Sequence, residues 1–341
     1  MKIKIYSIYF LFICLLVFSV FSQTNAQGVV NEFGYISYSV KLRNSSINYH
    51  IYAEENSLSL KKPLFVYLQG SGGEPIFQKS DKGTLNQLFI SPKDIGKEYY
   101  YVVINKPAVP FVSTGNFEAP QQYYDLLTRW YRAEAVSAVI NDLVKRKIVD
   151  TRKVVVAGRS EGARVVPLVA RLNKRVTHIG IFAGGGLTQM FNFIVNVRKD
   201  VRSGKMTAEE GEAEISKLYE QFKQIHADPN SSTKKWLGHS YKRWASFFEP
   251  PLDELLKLKI PVFLSANTED VNGSVERSDI VALEFLRNGK TNLTYKVNWN
   301  CDHYYMCKEI TGGQIKTFSR REQTISDFIN WLGRENATNN P

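Results

Sequence analysis

The chain lacks most of what would make it fibrous, disordered, metal-bound or membrane-embedded. Three cysteines in 341 residues cannot build the dense disulfide framework of a small secreted scaffold. None of the five histidines pairs at the spacing of a zinc site. There is no internal repeat, which excludes solenoids and propellers. Beyond Phe21 no apolar stretch is long enough to cross a bilayer. Lys and Arg outnumber Asp and Glu by 44 to 33, yet no run of five like charges occurs. Basic residues scattered among acids describe a solvated surface rather than a nucleic-acid footprint. What remains, 43% hydrophobic and 23% charged, is an ordinary globular balance. The length suits one large core, or two smaller domains.

The first residues form a leader. Lys2 and Lys4 precede the uncharged apolar run Ile5 to Phe21, followed by Ser22-Gln23-Thr24-Asn25-Ala26. A basic start, an apolar middle and small residues before a cut describe a secretory signal peptide. Cleavage is expected after Ala26, with Ser22 as the second choice, giving a secreted or periplasmic protein. An uncleaved leader would instead provide the chain's one contact with a membrane. Loss of the leader removes Cys14, and export makes Cys301 and Cys307 candidates for a disulfide. Two buried thiols are the alternative. A bridge there would brace the loop that carries His303.

The pattern then alternates. Tyr35 to Leu42 and Ile47 to Ala53 read as an antiparallel hairpin at a sheet edge, with Asn44-Ser45-Ser46 as the turn. Short continuous apolar runs follow: Leu64 to Leu68, Tyr100 to Ile104, Val154 to Ala157, Ile179 to Ala183, Val262 to Leu264 and Leu293 to Val297. Buried parallel strands look like this because both faces are covered. Between them Gln121 to Arg146, Ala163 to Leu172, Glu276 to Arg287 and Glu322 to Leu332 carry apolar residues at helical spacing. The expected class is α/β, a mostly parallel central sheet flanked by helices. From about Leu187 to Leu258 the chain is helical and charged with no strand-like run, too long for a simple connection. The expected organisation is therefore a core over 27–187 and 259–341, interrupted by a helical cap insertion over 188–258. Trp236, Tyr241, Trp244, Phe247 and Phe248 either line a pocket under that cap or pack it onto the core.

Chemistry concentrates at Gly158-Arg159-Ser160-Glu161-Gly162, between the strand Lys153 to Ala157 and a helix. Strand, sharp turn and helix would aim the Ser160 hydroxyl out of the sheet. The backbone N–H of Glu161 then opens the helix, where free donors favour a developing oxyanion. A serine that merely caps the helix is the alternative. A hydroxyl needs a base, and the base an orienting carboxylate. His303 alone among the histidines follows the last strand, in Trp299-Asn300-Cys301-Asp302-His303. Asp270, with Glu269 as substitute, follows the strand before it. Loops at the carboxyl end of a parallel sheet are where such groups converge. Gly289-Lys290-Thr291 only imitates a phosphate loop, since Glu284 stands where its first glycine belongs. A carboxylate at Glu161 beside the nucleophile points either to a cationic or hydroxyl-rich substrate group, or to helix-start stabilisation. Pro167 should kink the helix after Ser160.

With this pentad and the order Ser160, Asp270, His303, the sequence resembles the α/β-hydrolase superfamily from about Pro63 to Leu332. The resemblance implies an oxyanion loop at Gln69-Gly70-Ser71-Gly72-Gly73, with Ser71, or else Gly72, donating beside Glu161. Gln69 departs from the usual histidine, which leaves the bracing of that loop open. It also implies hydrolysis through an acyl-enzyme without a cofactor, on a small ester or a short peptide. Carboxylic esters are expected first and peptides second. A hydrolase-like scaffold that only binds, its chemistry lost, is the alternative from another class.

Overall fold

A strand covered on both faces needs no polar alternation, and Leu64 to Leu68 shows why. Leu64, Val66 and Leu68 enter one apolar cluster, Phe65 and Tyr67 another, and none is more than 3% exposed. Successive side chains leave a strand on opposite faces, so both layers are fed by the same run. The computed structural model describes residues 31–52, 58 and 60–338. The leader, its cleavage positions, Cys14 and Ala53 lie outside the described residues.

Eight strands form the central sheet: β1 (Tyr35–Leu42), β2 (Ser45–Tyr52), β3 (Lys62–Leu68), β4 (Tyr100–Ile104), β5 (Val149–Arg159), β6 (His178–Phe182), β7 (Val262–Asn267) and β8 (Leu293–Asn298). Their order is β1-β2-β4-β3-β5-β6-β7-β8. The edge hairpin is antiparallel, and β2 also runs antiparallel to β4; every pairing from β4 to β8 is parallel. This is the expected class, a mostly parallel sheet between helical layers. One apolar layer joins the sheet to α2 (Arg129–Lys145) and α3 (Glu161–Leu172) through Val136, Ile140, Val165 and Val169. The other joins it to the C-terminal helix Arg321–Thr338 through Phe328 and Trp331.

Several elements differ from the sequence reading. The turn expected at Asn44-Ser45-Ser46 is shorter, since Ser45 and Ser46 pair with Leu42 and Lys41 inside the hairpin. The single helix expected over Gln121 to Arg146 is two, α1 (Gln121–Leu126) and α2. Leu127 is extended, and the Thr128 hydroxyl accepts from the Tyr131 N–H at 3.0 Å, capping a new helix. Helix α3 runs from Glu161 to Leu172 with Pro167 inside it. An unforeseen hairpin, Met306–Thr311 with Gln314–Ser319, turns at Gly312-Gly313, both at positive φ. Such a glycine pair between alternating segments was the signal for it.

Between β6 and β7 lie α4 (Gln189–Arg202), α5 (Ala208–Ala227) and α6 (Tyr241–Ser246). A two-residue ladder, Lys235–Trp236 with His239–Ser240, interrupts the helices. These residues have a small core of their own, in which Trp244 is 1% exposed. Trp236 packs on Trp244 at 4.9 Å and Phe248 on Phe222 at 5.9 Å, while Phe247 joins the main core. The aromatics of this segment are packing residues.

Candidate active site

The turn from β5 into α3 is held by steric necessity. A Cβ on Gly158 would lie 2.5 Å from the carbonyl carbon of Gly162, and one on Gly162 would lie 2.2 Å from the Leu68 oxygen. Between them Ser160 sits at φ 56°, ψ −116°, a strained conformation for a side-chain-bearing residue. Its hydroxyl makes no capping bond, so the alternative of a helix-capping serine falls. The loop after β3 lies against it, and a Cβ on Gly70 would come within 3.4 Å of the Ser160 Cβ.

His303 and Asp270 meet. The imidazole Nδ1 lies 2.9 and 2.8 Å from the two Asp270 oxygens, and both residues are buried. Oδ1 also accepts the N–H groups of Asn272 and Gly273, at 2.8 and 2.7 Å. These donors keep the carboxylate aimed at the ring, while Glu269 next to it is exposed. With Nδ1 donating to Asp270, Nε2 is the basic nitrogen. No hydrogen bond joins the Ser160 hydroxyl to His303 in this structure, a looseness common before substrate binds. The two are nonetheless tied through a neighbour: Nη2 of Arg159 donates to the His303 carbonyl at 2.7 Å. Cys301 and Cys307 form a disulfide around the same loop, which settles the choice against free thiols. Asn267 adds a bond to the Asp302 carbonyl at 2.7 Å. The other histidines make different contacts. His50 bonds Ser37 and Asn105, His178 bonds Thr177, and burial pushes both down to about 4. His226 packs on Phe248. His239 packs on Trp244 and faces Arg243, Glu161 and Lys106; burial, and then Arg243, lowers its pKa to about 4.

The Gln69 to Gly73 loop has a brace that the sequence reading missed. Buried Lys106 donates from Nζ to the carbonyls of Gly70 and Gly72, at 2.6 and 2.5 Å. Arg132 donates to the Gln69 carbonyl at 2.7 Å. The C=O and N–H of one peptide plane point opposite ways, so pinning these oxygens fixes where the Ser71 and Gly73 N–H groups aim. Burial, and then the nearby Arg132, lowers the Lys106 pKa to about 7. Its place just past β4, at the carboxyl end of the sheet, was the available signal.

Glu161 is not free to greet a cationic substrate. Its Oε1 takes Arg132 at 2.7 Å, and its Oε2 takes Nε and Nη2 of Arg243 at 2.9 and 2.5 Å. Burial alone would raise the carboxyl; Arg243, then Arg132 and Lys106, hold it well below the usual carboxylate range. The side chain thus ties α3 to both α2 and α6, and the backbone N–H keeps its place at the helix start.

The strand order, the glycine-flanked turn and the loops converging at the carboxyl end of the sheet define an α/β-hydrolase fold. A scan against protein-family models finds no match, and a search of curated proteins finds none either. Solved structures do match. The acylaminoacyl peptidase of Pyrococcus horikoshii superposes with a TM-score of 0.54 and 14% identity, covering 88% of this chain and 41% of that one. Porphyromonas gingivalis dipeptidyl peptidase 4 gives 0.53 and 12%, covering 88% and 35%. The chain therefore spans about two fifths or less of the length of these peptidases. At such identity the likeness is one of fold.

Proposed function

We propose that the protein is a serine hydrolase working through an acyl-enzyme, with peptide bonds ahead of carboxylic esters as substrates. The buried Asp270–His303 pair, tied to the strained Ser160 turn by Arg159, carries this reading. Ser160 attacks the carbonyl carbon as His303 Nε2 takes its proton. The N–H groups of Glu161 and Ser71 hold the oxyanion, and His303 returns the proton to the leaving group before water releases the acyl chain. Asp270 orients the ring and stabilises its charged form. The order of substrates expected from the sequence is reversed because the structural neighbours at TM-scores above 0.5 are named as peptidases. The leader supports export, and the Cys301–Cys307 bridge fits an oxidising compartment. The segment between β6 and β7, joined to the nucleophile's neighbour by Arg243, serves as a cap.

A panel of acylated aminoacyl amides, short peptides and short-chain esters tests the reading. Peptide or amide turnover with kcat/KM of about 10⁴ M⁻¹s⁻¹ or more is expected. Hydrolysis of esters alone would restore the ester reading, and hydrolysis of nothing would favour the binding scaffold. Lys106→Met should lower kcat about 100-fold with KM nearly unchanged, since the loop loses the bonds that aim its oxyanion donor. A raised KM with kcat intact would assign Lys106 to substrate binding instead.

A further inference from the structure

Buried charge around Ser160 does not balance. Lys106, Arg132, Arg164, Arg243 and Arg277 are all buried, and the buried carboxylates facing them are Glu161 and Asp270. Exposed Glu74 faces Lys106 from the surface. Glu161 spends both oxygens on Arg132 and Arg243, while Asp270 is engaged by His303 and two backbone N–H groups. Arg164 and Arg277 are left with neutral partners. Arg164 Nη1 donates to Gln189 at 2.9 Å, and Arg277 donates from Nε and Nη2 to the Leu187 carbonyl at 3.0 and 2.7 Å. Neither makes an ion pair among the described residues. Among the described residues, Nε of Arg164, Nη1 of Arg277 and Nη1 of Arg243 are buried with no acceptor.

A guanidinium stays charged at any ordinary pH, and a buried charge with no counter-ion bonded to it is among the costliest things a fold can keep. These groups lie beside the chemistry. Arg164 is one helical turn along α3 from Ser160. Arg277 lies in the first turn of the helix Glu276–Arg287 after the Asp270 loop, packed against Gly185. Arg164 interacts electrostatically with Arg277 and Arg243, and with Glu161 and Asp270.

We propose that Arg164 and Arg277, joined by Arg243 from α6, form a subsite for a carboxylate on the substrate. The source is either the free C-terminus of a peptide or an acidic side chain next to the scissile bond. A planar carboxylate matches the donor fork of a guanidinium and supplies the missing counter-charge. The unsatisfied N–H groups are closed off from solvent in this structure, so occupation requires a neighbouring segment to move aside. The inference rests on the serine-hydrolase reading.

Matched peptide pairs test it: C-terminal acid against carboxamide, and Glu against Gln beside the scissile bond. The full-length enzyme should favour the carboxylate member of at least one pair by about tenfold or more in kcat/KM, and the pair showing it names the source. Calorimetry on the Ser160→Ala enzyme should show the same preference in binding, and adding Arg164→Met or Arg277→Met should bring it towards unity. Ratios near one in both pairs, in an enzyme whose serine is labelled by a fluorophosphonate, overturn the subsite and spare the hydrolase reading. An unlabelled native enzyme whose Ser160→Ala form still prefers acids overturns the hydrolase reading and spares the subsite. Should both arginine variants unfold, the ratios measured on the native and Ser160→Ala enzymes decide.

Discussion

Ser160→Ala should abolish covalent labelling by a fluorophosphonate and lower kcat/KM about 10⁵-fold, with the melting temperature close to that of the native enzyme. The substitution removes one oxygen and nothing else that the structure uses. Ser160 makes no side-chain cap, and its backbone N–H, bonded to the Phe182 carbonyl at 2.9 Å, is kept. Alanine meets the same strain at φ 56°, so the turn should survive. Residual turnover would come from the Glu161 and Ser71 donors acting on a bound substrate attacked by water. Undiminished labelling in the variant would place the nucleophile elsewhere.

Asp270→Asn should lower kcat about 10⁴-fold and leave KM within a few-fold of native. The reason lies in which atom faces which partner. The N–H groups of Asn272 and Gly273 both require an acceptor at the Oδ1 position. An asparagine satisfies them with its carbonyl and turns its NH₂ towards His303 Nδ1. The ring must then accept at Nδ1 and carry its proton on Nε2, the nitrogen needed to take the serine proton. Glu269→Gln, at an exposed neighbour, should change kcat by less than twofold. A loss below tenfold for Asp270→Asn, or equal losses in the two variants, would show that the carboxylate does not orient the base.

Much of the scaffold was legible from residue order. The strand Tyr100–Ile104 and the helix Glu276–Arg287 lie where their apolar spacing put them. Burial on two faces or on one helical stripe leaves its mark within a few residues. The same holds for the Ser160 turn, because the clash that excludes a side chain at Gly158 arises from Gly162, four positions away. Where the helix reading over Gln121 to Arg146 failed, a competing local bond was the cause. The Thr128 hydroxyl offered the N–H of Tyr131 a partner, so one long helix became two.

The electrostatic frame around the serine was hidden, since its partners are remote along the chain. Arg243 reaches Glu161 across 82 residues, Lys106 reaches Gly70 across 36, and Arg159 reaches the His303 carbonyl across 144. The meeting of Asp270 and His303, though expected from loop order, likewise depends on β7 and β8 lying side by side. Periodicity and turn sterics are properties of neighbours on the chain, so they can be read in one dimension. Which carboxylate a long basic side chain finds, and which guanidinium is left without one, depends on how the layers fold over each other, and no local pattern encodes it.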